Sequence, residues 1–262
     1  MPSNCPRILR CLAVLSVVFP VVAFAAIPAD QPAPRSDPNS KLAHEQLVAK
    51  TRQGRIDLYF LGDSITRRWG ATDYPAFLAH WKKTFTGWNA ADFGWGGDTT
   101  QNILWRLQNG ELDGLNPKVI VLLAGTNNVG RSPAANAADD VPKGIRAIID
   151  LCRKKVPGAT IVLTAVFPRN DSPKANPVIE KINAKIATFA DGRSVRFINI
   201  NDRLADKNGQ LFEGMTVDKL HPSLKGYEIW AEALEPVLTE LLGPRSATDS
   251  APPPTGDPAA KK

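Results

Sequence analysis

The chain has 262 residues, 43% hydrophobic and 22% charged, with a net charge of +6. Those are values of an ordinary folded protein, long enough for one large α/β domain or two small ones. The charge is too small and too scattered to call for nucleic acid, and three histidines and three cysteines with no metal-ligand spacing call for no metal and no cofactor.

Residues 1–25 read as a secretory signal peptide. Arg7 and Arg10 precede an apolar run over 11–24 that Pro20 interrupts, and Ala23, Phe24 and Ala25 form an A-x-A cleavage pattern. The run is short for a membrane span, which needs about 20 apolar residues. The mature chain is therefore expected to be secreted or periplasmic, without stable membrane insertion. Cleavage would remove Cys5 and Cys11 and leave Cys152, so no internal disulfide is expected; Cys152 sits among apolar neighbours and reads as buried and inert. Loss of two arginines would lower the charge from +6 to +4. Residues 26–40 read as a flexible linker and 41–242 as one domain. Residues 243–262, with five prolines and alanine runs, read as a disordered tail.

Within 41–242, short apolar runs alternate with longer periodic segments. Strands are expected at 56–61, 92–95, Val119–Leu123, 160–166 and Val195–Ile198, and helices at 101–107, Ala137–Lys155, 177–190 and 222–242. Strands apolar on both faces that alternate with helices indicate a parallel sheet covered on both sides. The expected fold is a three-layer α/β/α sandwich with a flavodoxin-like five-stranded sheet in the order 2-1-3-4-5. Ligands of such sheets bind beyond the carboxyl ends of the strands, so the residues after each strand are the ones to inspect.

Four short motifs fall there. After the first strand come Gly62, Asp63 and Ser64: a sharp exit that exposes a serine beside helix N-terminal amides, or a plain helix cap. After the second, the run from Gly94 to Thr100 (GWGGDTT) contains Gly97, whose free N–H suits an oxyanion, with Asp98 or Thr99 as an alternative cap. After the third come Gly125, Thr126, Asn127 and Asn128, where a side-chain amide can donate to developing charge or merely form a turn. Late in the chain, Asp218 lies three residues before His221 and Pro222; it can bond one imidazole nitrogen and leave the other free as a base. His44 and His80 lie in helical patterns away from strand ends and read as ordinary surface or core residues. Together the four motifs supply nucleophile, oxyanion donors, base and orienter at one end of the sheet.

GDS, the glycine of FGWGGD, GTNN and DxxHP resemble the four blocks of the SGNH (GDSL-type) hydrolases, over about residues 56–242. FGWGGDTTQNILWRLQNGELDGLNPKVIVLLAGTNN and HPSLKGY are most like the platelet-activating-factor acetylhydrolase catalytic subunits and bacterial relatives. The resemblance implies Ser64 as nucleophile and Ser64 N–H, Gly97 N–H and the Asn127 amide as the oxyanion hole. It makes His221 the general base and acid, oriented by Asp218. It also implies a serine esterase for short acyl, chiefly acetyl, esters. The export signal departs from the cytosolic acetylhydrolases and fits bacterial members that deacetylate carbohydrates, so a small-molecule or carbohydrate ester is the expected partner. A lysophospholipase or thioesterase, an inactive carbohydrate-binding relative and an acyltransferase are the alternatives. Trp69, Trp81, Trp88, Trp95 and Trp105 could line a lipid groove, stack on sugar or fill the core, and Leu220 could wall an acyl pocket.

Overall fold

A computed structural model describes residues 1, 26–131 and 133–260. Most of the expected signal peptide, with Cys5 and Cys11, lies outside the described residues. In chain order the elements are α1 Pro38–Lys50, β1 Leu58–Gly62, α2 Ser64–Gly70, α3 Pro75–Phe85, β2 Ala90–Gly94, α4 Thr100–Arg106 and β3 Val119–Leu123. They continue with α5 Thr126–Val129, α6 Ala137–Lys155, β4 Thr160–Thr164, α7 Asn176–Ala187, β5 Val195–Ile198, α8 Asn201–Leu204 and α9 Leu224–Leu242. The five strands form one parallel sheet in the order β2-β1-β3-β4-β5, the expected flavodoxin-like arrangement.

The strands are apolar throughout because both faces are buried. Successive side chains point to opposite faces. Tyr59, Leu61, Ile120 and Leu122 enter a core with α4, α6 and α7. Leu58, Phe60, Val119, Val121 and Leu123 enter a second core with α2, α3 and α9. Parallel pairing aligns the strand ends: Gly62 sits opposite both Gly94 of β2 and Leu123 of β3. The segments that follow these three residues therefore leave the same end of the sheet side by side.

Trp69, Trp81 and Trp88 belong to the α2/α3/α9 core. Trp95 is also buried, with its indole N–H donated to Ser40 Oγ at 2.8 Å, and Trp105 is half-buried. Of the three uses the tryptophans allowed, the core takes four of the five. Cys152 is buried, a thiol that burial pushes up to about 12. None of the described helices is long and apolar enough to cross a membrane.

Both segments expected to be flexible are packed. Within 26–40, the Ala29 N–H donates to Asp140 Oδ2 at 3.0 Å, its carbonyl accepts from Thr100 Oγ1 at 2.7 Å, and Ala33 exchanges hydrogen bonds with Gln101 and Asn102. Pro38 then opens α1, with Asp37 accepting the Ser40 N–H as its cap. Residues 243–260 run back across the protein. The Ser246 N–H donates to Gly87 O, Asp249 accepts from the Gly87 N–H, Ser250 bonds Asn89 and Arg55, and Thr255 accepts from the Thr72 N–H. Asp257 bonds Asn39 and Asp73, and Pro252 is buried. Their composition is that of unfolded chain. Their order comes from backbone groups and short polar side chains meeting fixed partners on the domain, which apolar periodicity does not encode.

Deleting residues 244–262 should therefore lower stability. The lost hydrogen bonds amount to on the order of 2 kcal/mol net, a fall in Tm of about 4–8 °C. Differential scanning calorimetry of the truncated and full chains checks this; an unchanged Tm would mean that the tail contributes nothing to the folded state.

Candidate active site

β1 ends at Gly62 and the chain turns directly into α2. Asp63 is the N-cap: its Oδ1 accepts the Ile65 N–H at 2.9 Å and its carbonyl accepts the Arg67 N–H. The helix-cap reading of GDS holds, with Asp63 as the cap. Asp63 caps the helix and leaves Ser64 as its first residue, whose N–H has no intrahelical acceptor. Asp63 is fully buried and its Oδ2 has no partner among the described residues; burial pushes its carboxyl up to about 7. Gly94 permits the close approach of β2 to this turn. A Cβ there would stand 2.4 Å from the Arg67 nitrogen and 2.7 Å from the Asp63 carbonyl oxygen.

The Ser64 hydroxyl lies 2.9 Å from His221 Nε2, and His221 Nδ1 lies 2.7 Å from Asp218 Oδ2. Asp218 Oδ1 accepts the backbone N–H of His221 at 2.8 Å and of Leu220 at 3.2 Å, so the DxxH turn holds its own carboxylate. Partial burial pushes the Asp218 carboxyl up, but the two His221 N–H groups and Arg68 outweigh it and hold it below the usual carboxylate range. With Asp218 ionised, the imidazole proton belongs on Nδ1, and Nε2 is left to accept from Ser64. Partial burial and the Arg68 guanidinium keep the imidazole below the ordinary histidine value, against the opposing pull of Asp218 and Asp171.

Gly97 has φ of +79°, a backbone that favours glycine, in the turn that follows β2. A Cβ at Gly97 would lie 3.0 Å from Arg35 Nη1, which donates to Gly96 O at 3.0 Å. Asn127, at the start of α5, donates from Nδ2 to the carbonyl of Asp98 at 2.8 Å, the residue after Gly97. The structure thus joins the Gly97 turn to Asn127 through Asp98 and gathers Ser64, His221 and Asp218 into a chain of hydrogen bonds. Asn128 serves the scaffold, accepting the Thr100 N–H at 2.9 Å. Thr99 rather than Asp98 caps α4, its N–H bonded to Asn102 Oδ1 at 3.0 Å.

Sequence reasoning missed the buried charges beneath the turns. Arg106, 4% exposed, donates to Asp98 Oδ2 at 2.7 Å, to Glu111, to Phe93 O at 3.1 Å and to Gly62 O at 3.3 Å. Burial pushes Asp98 up to about 6 even so. Glu111 also bonds His44 Nδ1 at 2.8 Å, which makes His44 a structural residue; His80 accepts the Trp69 indole N–H at 3.0 Å. Arg169, equally buried, donates to Thr126 O at 3.0 Å and forks onto Asp171 at 2.6 and 2.7 Å. The Asn170 and Asp171 N–H groups in turn hold Lys219 O at 2.8 and 3.3 Å. The Asn127 turn and the His221 loop therefore share one support. The arginines at 68, 106 and 169 carry no local motif, so only the fold reveals them.

The model of the GDSL-like lipase/acylhydrolase family matches residues 60–229. The chain belongs to the GDSL-like lipase/acylhydrolase family and is an acyl-ester hydrolase. It is 31% identical to platelet-activating factor acetylhydrolase IB subunit alpha1 of Bos taurus over 239 residues, which cover 88% of this chain and 97% of that one. It is 31% identical to the alpha2 subunit of Rattus norvegicus over 223 residues, 83% and 91% of the two chains. Among solved structures, a GDSL-like lipase of Bacteroides thetaiotaomicron superposes with a TM-score of 0.61 at 22% identity, covering 76% of this chain and 97% of that one. This last likeness is one of fold.

Replacing Arg106 by Met would leave the buried carboxylates of Asp98 and Glu111 to weaker partners, Arg35 at 3.4 Å and His44. Breaking one partner of a buried ionic cluster costs about 3–5 kcal/mol. Urea unfolding of Arg106→Met should show that loss in the midpoint at constant slope; a midpoint like the wild type's would mean that the cluster does not hold the strand ends.

Proposed function

We propose that the protein is an exported serine esterase that removes short acyl groups, chiefly acetyl, from a carbohydrate or small-molecule ester, with Ser64, His221 and Asp218 as its triad. The observation that carries this reading is the unbroken relay of Ser64 Oγ to His221 Nε2 at 2.9 Å and His221 Nδ1 to Asp218 at 2.7 Å, on a helix N-terminus. As Ser64 attacks the ester carbonyl, its proton passes to Nε2. The tetrahedral oxyanion is held by the N–H groups of Ser64 and Gly97 and the second N–H of the Asn127 amide, whose first is spent on Asp98. Imidazolium then protonates the departing alcohol, and water repeats the sequence on the acyl-enzyme. The acetylhydrolase names of the relatives support acetyl as the acyl group. They also favour a second reading, in which the alcohol is a hydroxyl of a phospholipid's glycerol rather than of a sugar. The export signal read in residues 1–25 supports the secreted or periplasmic, carbohydrate-directed reading.

The deciding experiment compares wild type and Ser64→Ala on p-nitrophenyl esters from acetate to palmitate, beside acetylated xylan and an acetylated glycerophospholipid. Acetate should be cut far faster than long-chain esters, xylan should be deacetylated in preference to the lipid, and Ser64→Ala should lose roughly three orders of magnitude or more. Undiminished turnover by Ser64→Ala would sink the triad. A preference for palmitate or for the lipid would replace the carbohydrate reading.

The pH profile follows from the imidazole. The neutral ring is the base, so kcat/KM rises as pH passes upward through the His221 pKa. Burial and Arg68 lower that value, so the midpoint of the rise should lie below the ordinary histidine value of about 6.5. A rising limb centred well above that value would contradict the assignment of His221 or its surroundings.

A further inference from the structure

The Asp218 side chain is 43% exposed, and water beside an exposed carboxylate screens its interactions. Its orientation then depends on the donors that fix it. Oδ1 takes two backbone N–H groups of its own turn. Oδ2, the oxygen that receives His221 Nδ1, takes one more: Arg68 Nη1 at 3.1 Å. Among the described residues, Arg68 is the one donor of the four from outside the turn, and it comes from α2, the helix that begins at Ser64.

Residues four apart lie on one helix face. That face of α2 presents, one turn apart, the hydroxyl that meets Nε2 and the guanidinium that meets the acid. The His221 loop is thereby docked on the nucleophile's helix at both ends of its relay. The guanidinium also lies 5.4 Å from the Tyr74 ring centre, a cation–π contact that steadies it. The loop needs external support: Lys219, a non-glycine residue inside it, has φ of +69°.

We propose that Arg68 is a positioning residue for the hydrolysis: it locks the Asp218 carboxylate from the nucleophile's own helix and so keeps the imidazole aligned on Ser64. The inference rests on the triad reading above. The charged groups that face His221 are Arg68 from α2, Asp218 from its own loop and Asp171 from the segment after β4. The two carboxylates favour the imidazolium and Arg68 opposes it. Removing Arg68 leaves the carboxylates opposed by partial burial alone, so His221 should hold its proton to higher pH.

The test compares Arg68→Met, Arg68→Gln and Arg68→Lys with wild type and with Ser64→Ala, each first checked for folding by thermal unfolding. In the folded neutral variants kcat should fall on the order of tenfold to a hundredfold, the scale of a small misplacement in an active site, with KM little changed. The acid limb of kcat/KM should move to higher pH, and the low-field proton resonance of His221 Nδ1–H should broaden or shift. Arg68→Lys keeps the charge and loses the planar fork, so it should restore the acid limb more fully than kcat. An unmoved limb with undiminished kcat in a folded neutral variant would overturn the proposal. An effect confined to KM would also overturn it and make Arg68 a substrate contact. Failure of the triad reading is distinguishable, because it shows as activity retained in Ser64→Ala whatever Arg68 does.

Discussion

The guanidinium of Arg106 sits where the ends of two strands and the turn that follows β2 converge. It donates to the carbonyls of Gly62 and Phe93, the last residue of β1 and the penultimate residue of β2, and to the carboxylates of Asp98 and Glu111. A buried cation with anionic partners is expensive to break, so these segments are held as one body. Ser64 leaves β1 two residues after Gly62, Gly97 leaves β2 one residue before Asp98, and Asn127 is bonded to the Asp98 carbonyl. The relative placement of the proposed nucleophile and oxyanion donors rests on one side chain that touches none of their functional atoms. Stability and site geometry are coupled there.

A second support stands on the opposite flank. Arg169 links Thr126, beside Asn127, to Asp171, whose amide holds the His221 loop at Lys219. α2 closes the circuit through Ser64 and Arg68. The loop that carries His221 has little regular structure of its own, and its rigidity is borrowed from two arginines and one helix. This is how an irregular loop at the mouth of a sheet can hold an imidazole to within hydrogen-bonding distance of a serine.

The sheet was legible because every strand is buried on both faces, which writes uninterrupted apolar runs such as Val119–Leu123 into the sequence. The candidate site was legible because an open parallel sheet puts its ligand end after each strand, and GDS, GWGGDTT and GTNN fall there. Asp98 shows the limit. As part of a glycine turn it resembled a helix cap, whereas its carboxylate is buried against Arg106 because the turn folds inward onto α4. Residues 26–40 and 243–260 show another. Their order depends on single hydrogen bonds to Asp140, Gly87 and Asp73, partners more than 100 residues away, and nothing local signals them. Arg68 was hidden for the same reason: its significance lies in Asp218, which the fold alone brings near.

In the proposed mechanism Ser64 carries the acyl group through the reaction. Rapid-quench mixing of the wild-type enzyme with p-nitrophenyl acetate, followed by peptide mass spectrometry, examines this directly. An acetyl adduct on Ser64 should appear with the first turnover and disappear as substrate is exhausted. Turnover with no adduct on Ser64, or with acetyl on another residue, would contradict it.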